Sequence, residues 1–166
     1  ELFVLFPSEV IHIGGDEVGY EVWEKSASVQ KYMREHHIKS PADLQINFTN
    51  KISKYIEDNG RRMMGWNEIL GKNIHADFEE KKDDQEAETE LAKNAIVHFW
   101  KGDLELLTEA AKNGYAIVNS LHNRTYLDYS YESIPLEKAY NFDPIPEGLD
   151  AQYHNNIYGT GCQMWS

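Results

Sequence analysis

Five short apolar or β-branched runs, amphipathic helical patterns between most of them, and polar or aromatic residues recurring at the runs' carboxyl-terminal ends predict an α/β fold of the (β/α)8 barrel type. The runs cover residues 10–13, 62–65, 95–100, 115–119 and 157–165. Strands alternating with helices indicate parallel pairing, because a parallel neighbour needs a crossover long enough to hold a helix. No period of 20–50 residues repeats, so a solenoid is not indicated.

The first strand runs into Gly14-Gly15-Asp16-Glu17. A helix is predicted over about residues 28–36. Pro41 opens a second, in which Leu44, Phe48, Ile52, Tyr55 and Ile56 recur at three- and four-residue spacing as its apolar face. It stops at Asn59-Gly60. The second strand leads into Trp66-Asn67-Glu68, and the third ends at Trp100. Asp103 caps a helix with Leu104, Leu107, Ala110 and Ala111 on its apolar face, closed by Gly114. The fourth strand leads toward Tyr126 and Asp128, and the fifth finishes at Trp165. A barrel of this type builds its active site where these strands end.

The formal charge of −12 disfavours nucleic acid and anionic membrane surfaces as partners, since both repel it. Much of the excess sits at residues 77–90, within a charged surface insertion expected over about 72–94. With one cysteine, Cys162, an intrachain disulfide and a zinc–thiolate cluster are both excluded. No HExxH spacing supports a metal site, and no G-x-G-x-x-G or phosphate loop follows a strand, so no cofactor is expected. No apolar run reaches the roughly 20 residues that span a bilayer.

Neighbouring side chains of a regular strand point to opposite faces. Asp16 and Glu17 can therefore serve one site only where the pleat breaks, and Gly14-Gly15 permits such a break. Two carboxyl groups held together should titrate as a coupled pair, one kept protonated as a general acid while the other stays ionised. His12 is expected to be a buried, hydrogen-bonded strand residue, and Trp23 a packing residue.

His12-Ile13-Gly14-Gly15-Asp16-Glu17-Val18 resembles the H-x-G-G-D-E-V signature of family 20 glycoside hydrolases, the β-N-acetylhexosaminidases. Gly65-Trp66-Asn67-Glu68-Ile69-Leu70 is similar to that family's G-W-[DN]-E-I-L segment, and Phe99-Trp100-Lys101-Gly102 to its W-[RK]-G segment. Tyr126-Leu127-Asp128 is similar to its Y-L-D, and Gly161-Cys162-Gln163-Met164-Trp165 to the run before its last active-site Trp.

The resemblance implies that Glu17 protonates the glycosidic oxygen and later activates water. It implies that Asp16 holds the acetamido N–H of the substrate, that Tyr126 donates to the acetamido oxygen, and that this oxygen is the nucleophile, giving an oxazolinium intermediate. Trp66, Trp100 and Trp165 would wall in the sugar, and Asp128 would accept from a sugar hydroxyl. Asn67 and Glu68 would lie beside the site. The implied partners are glycans containing N-acetylglucosamine or N-acetylgalactosamine, met outside the cytoplasm.

The resemblance places the five runs as strands four to eight of the barrel, so that residues 1–166 form a partial catalytic domain. Both ends of the chain then read as cut. A partial barrel leaves strand edges open, so self-association is expected and activity of the fragment alone is not. Two other readings stay open: a retaining glycosidase with a direct carboxylate nucleophile, and a non-catalytic sugar-binding barrel.

Overall fold

The computed structural model describes residues 1–72 and 86–165, which fall into two compact units, Glu1–Ala95 and Ile96–Ser166. The first unit runs α1 (Leu2–Leu5), β1 (Val10–His12), α2 (Glu21–Lys25), α3 (Ala27–Glu35), α4 (Pro41–Asp58) and β2 (Arg62–Trp66), followed by a 3₁₀ turn at Asn67–Leu70. β1 and β2 are parallel, with Val10 opposite Arg62 and His12 opposite Met64. The intervening helices make the crossover that parallel pairing requires.

Local chemistry sets the limits of α4. The Ser40 hydroxyl accepts from the Asp43 backbone N–H at 3.0 Å and donates to the Asp43 carboxylate at 2.8 Å. Pro41, whose φ is already helical and whose missing N–H would have no partner, takes the first position. Gly60, at φ 72°, ends the segment in the left-handed region.

The buried stripe of α4 only partly matches the one its large apolar residues predict. Ile56 is buried as expected and Leu44 and Ile52 are half-buried, but Phe48 and Tyr55 are 62% and 61% exposed, and Ala42, Ile46, Thr49 and Ser53 complete the buried face. The buried face is the one that hydrogen-bonds: Ser53 donates to Asn94 at 3.1 Å, and Asp43 accepts twice from Thr89 at 2.8 Å. Small side chains there allow close approach, and the bulky rings take the opposite face.

The charged insertion expected over 72–94 lies partly outside the described residues, at 73–85. Its carboxyl-terminal part docks on α4. Besides the Thr89 bonds, Asn50 donates to the Glu90 carbonyl and accepts from the Ala92 N–H, and Leu91 is buried.

The second unit runs β3 (Ile96–Phe99), α5 (Leu104–Lys112), β4 (Ala116–Asn119), α6 (His122–Thr125), α7 (Leu136–Tyr140), a 3₁₀ turn (Ala151–Asn156) and β5 (Ile157–Gly159). β4 pairs in parallel with both β3 and β5, the latter through a register shift between Ile117 and Val118. Val97, Phe99, Leu107, Ala111 and Ile117 are wholly buried. Asp103 accepts from the Glu105 N–H, capping α5, and Gly114 at φ 85° closes it. Leu104, expected on the buried face, is 40% exposed at the first position of α5.

The fifth strand is shorter than its apolar run. It ends at Gly159, whose φ of 137° leaves the extended region, and pairing resumes only where Gln163 bridges Tyr126. Among the described residues no helix is long and apolar enough to cross a membrane. Nor do three His, Cys, Asp or Glu side chains among them come close enough together to hold a metal ion.

Candidate active site

The first unit carries the acidic pair on a turn that leaves the strand abruptly. β1 ends at His12, and Ile13 still donates to Met64 in the ladder at 2.9 Å. Gly14 and Gly15 then take φ values of 72° and 92°, which β-carbons resist, and Glu17 itself sits at φ 50°. The left-handed region costs a non-glycine residue about 1–2 kcal/mol, so Glu17 is held there by its surroundings.

Close backbone packing is one such constraint. Trp66 donates its N–H to the Gly14 carbonyl at 2.9 Å. A β-carbon on Gly65 would lie 2.9 Å from that same oxygen, and one on Gly15 would lie 2.8 Å from Ile69 Cγ2. The glycines of both motifs thus let the acid turn and the end of β2 touch.

His12 departs from its expected burial. Its surface is largely open to solvent although its ring is partly covered, with Nδ1 accepting from the Gly14 N–H at 3.0 Å and the ring edge-on to Trp66 at 4.9 Å between centroids. Desolvation lowers its pKa, against the opposing pull of the Asp16 carboxylate. Asp16 and Trp66 are therefore both neighbours of His12. Asp16 Oδ1 also lies over Gly14, 3.5 Å from where a β-carbon would stand. Trp66, Asn67 and Glu68 are buried, while Glu17 is exposed. Trp23, half-buried, packs its ring against Tyr20.

The second unit gathers aromatic rings around Tyr126. Trp100 stacks on it at 6.1 Å and 19°, and Trp165 lies 6.4 Å away at 54°. His122 and Tyr129 approach the same ring edge-on, at 6.1 and 5.8 Å. Tyr126 is 7% exposed and Trp165 58%, a gradient suited to a ring wall with an open side. Asp128 is exposed on the loop beyond. Burial, and secondarily the Lys101 ammonium, lower the pKa of His122. Neutral, it accepts or donates one bond with the Tyr129 hydroxyl at 3.2 Å.

Gln163, which sequence reasoning passed over, holds this cluster together. It bonds through its backbone to both neighbours of Tyr126, accepting from the Leu127 N–H at 2.9 Å and donating to the Thr125 carbonyl at 3.1 Å. Its side chain accepts from the Thr125 hydroxyl at 3.1 Å and approaches His98, whose Nε2 meets the Ser120 hydroxyl at 2.8 Å. A polar residue between apolar neighbours near an aromatic motif was the available signal. Gln45, on α4, was missed because a glutamine in a helix reads as solvated.

The residues expected in one site thus fall into two sets by unit: Asp16, Glu17 and Trp66 in the first, and Trp100, Tyr126 and Trp165 in the second.

A family model described as glycosyl hydrolase family 20, catalytic domain, matches residues 1–166. A beta-hexosaminidase of Porphyromonas gingivalis is 29% identical over 177 residues, covering 100% of this chain and 21% of that protein. One from Vibrio furnissii is 28% identical, covering 99% and 26%. Among solved structures, an exo beta-N-acetylglucosaminidase from Vibrio harveyi in complex with N-acetylglucosamine superposes with a TM-score of 0.76 at 27% identity, covering 99% of this chain and 25% of that one. A Flavobacterium johnsoniae chitobiase gives 0.74 at 32% identity, covering 99% and 23%. The chain thus spans about a quarter of the length of these relatives, and by the family model it belongs to glycosyl hydrolase family 20, within that family's catalytic domain.

Proposed function

We propose that this chain carries the catalytic centre of a β-N-acetylhexosaminidase, hydrolysing terminal N-acetylglucosamine or N-acetylgalactosamine from glycans by substrate-assisted, retaining catalysis. The observation that carries the reading is the Gly14–Glu17 turn, in which two glycines and a strained glutamate take the adjacent acids out of strand alternation. A strand that kept its pleat would have turned Asp16 and Glu17 to opposite faces.

In the first step the acetamido oxygen of the substrate attacks its own anomeric carbon. The bond to the leaving oxygen breaks as Glu17 gives that oxygen its proton. The Asp16 carboxylate accepts from the acetamido N–H and offsets the positive charge that spreads over the oxazolinium ring. Tyr126 donates to the acetamido oxygen and fixes its line of attack. In the second step the Glu17 carboxylate takes a proton from water, which attacks the anomeric carbon and reopens the ring with overall retention. Trp66, Trp100 and Trp165 exclude competing water, and Asp128 accepts from a sugar hydroxyl.

In this reading the five strands are the fourth to eighth of a (β/α)8 barrel, and the glycans are met outside the cytoplasm. Glu17→Gln, assayed within an intact family 20 catalytic domain on an aryl N-acetylglucosaminide, should lower kcat by about 10²–10⁴-fold, the usual worth of a general acid. Wild-type turnover surviving in that variant would remove Glu17 from the mechanism. A sugar-binding barrel would instead keep its affinity and show no turnover in either form.

A further inference from the structure

We infer that Gln45 is a positioning residue that clamps both ends of the acid turn, and the inference rests on Asp16 and Glu17 being the reacting acids. Gln45 lies on α4, 8% exposed, facing the unit interior rather than solvent. Its Nε2 donates to the Gly15 carbonyl at 3.0 Å, the residue immediately before Asp16. Its Oε1 accepts from the Tyr20 hydroxyl at 2.6 Å, three residues after Glu17. One planar amide therefore holds the segment where it leaves β1 and again where it enters α2. An amide suits both ends, since it offers a donor to the Gly15 carbonyl and an acceptor to the Tyr20 hydroxyl.

The stretch between these two bonds is irregular and held off the common backbone minima. Gly15 is at φ 92° and Glu17 at φ 50°, and residues 16–19 belong to no helix or strand. A segment held off its backbone minimum relaxes unless outside contacts over-determine it. Gln45 supplies two such contacts from a rigid 18-residue helix, itself fixed by the Ser40–Asp43 cap. Partial burial of the Tyr20 phenol also raises its pKa, which keeps the hydroxyl proton in place for the bond. α4 is thus the element that aims the acids.

The test pairs Gln45→Met, which keeps volume and removes both bonds, with Tyr20→Phe, which removes one. Hydrogen exchange of this chain should show the amides of residues 15–20 exchanging about tenfold faster in Gln45→Met, with the amides of α4 itself unchanged. Tyr20→Phe should give a smaller rise. Within an intact catalytic domain, Gln45→Met should lower kcat about tenfold with KM changed less than about twofold, since misaimed acids are felt in the transition state. Unchanged exchange across residues 15–20 overturns the clamp whether or not the wild type is active. Faster exchange there, with a wild type that turns over no hexosaminide, keeps the clamp and removes the assigned chemistry. Faster exchange with unaltered kcat in an active enzyme shows a merely structural tie and overturns the positioning role.

Discussion

At the residue scale, glycine decides where the acids point. Gly65 has no room for a side chain, since a β-carbon there would meet the Gly14 backbone oxygen at 2.9 Å and Ile69 Cγ2 at 3.0 Å. Gly65→Ala should therefore push the acid turn off β2 and destabilise the fold by about 1–3 kcal/mol, the usual cost of overpacking. Urea unfolding of the variant checks this, and a midpoint equal to wild type would mean that Ile69 and the turn yield freely. Of these contacts the sequence showed the motif glycines but not their partners. Two Gly before an Asp-Glu pair announce a broken pleat, whereas the approach of residue 65 to residue 14 depends on strand register, which no local pattern encodes. His12 shows the converse. Its motif position was legible, but its exposure and its bond to Gly14 were not.

At the scale of elements, α4 was legible in its limits and only partly in its orientation. Ser40, Pro41 and Asn59-Gly60 mark its ends by capping chemistry that acts within a few residues. Its apolar spacing found Ile56 but misplaced Phe48 and Tyr55, because hydrogen bonds to Thr89 and Asn94, distant in sequence, turn the face of Asp43 and Ser53 inward. Asp43 is the centre of that docking. Burial alone would raise its pKa, but the hydrogen bonds from Ser40 and Thr89 outweigh burial and hold it below the ordinary carboxylate range. A depressed carboxylate stabilises the fold above its unfolded value, near pH 4, and that stability is lost as pH falls through the folded value. Asp43→Asn should cost about 1–3 kcal/mol at neutral pH. It should also flatten the acid limb of the stability profile, as followed by thermal melts between pH 6 and 3. An acid limb identical to wild type would show that Asp43 does not carry it.

For the whole molecule, strand order and approximate position were readable because each strand is bracketed by helix stops and polar ends. The fifth was overestimated because an apolar run cannot reveal that Gly159 leaves the ladder. Among the described residues, β1 pairs only with β2 and β5 only with β4. Both stand at the ends of the strand order, and strands at the edge of a sheet recruit further strands. Together with the exposed Leu2, Val4, Leu5 and Phe6 near β1, they lead us to propose that the chain self-associates. Size-exclusion chromatography across a dilution series should show a concentration-dependent larger species, and a compact monomer at every concentration would count against it.

The chemistry itself is reached most directly through the substrate's own amide. Within an intact catalytic domain, aryl 2-acylamido glycosides bearing zero, one, two and three fluorines on the acyl methyl should fall steeply in kcat/KM with each fluorine. Electron withdrawal would weaken the oxygen that, in the proposed mechanism, attacks the anomeric carbon. A flat series would contradict this mechanism and make a protein carboxylate the nucleophile instead.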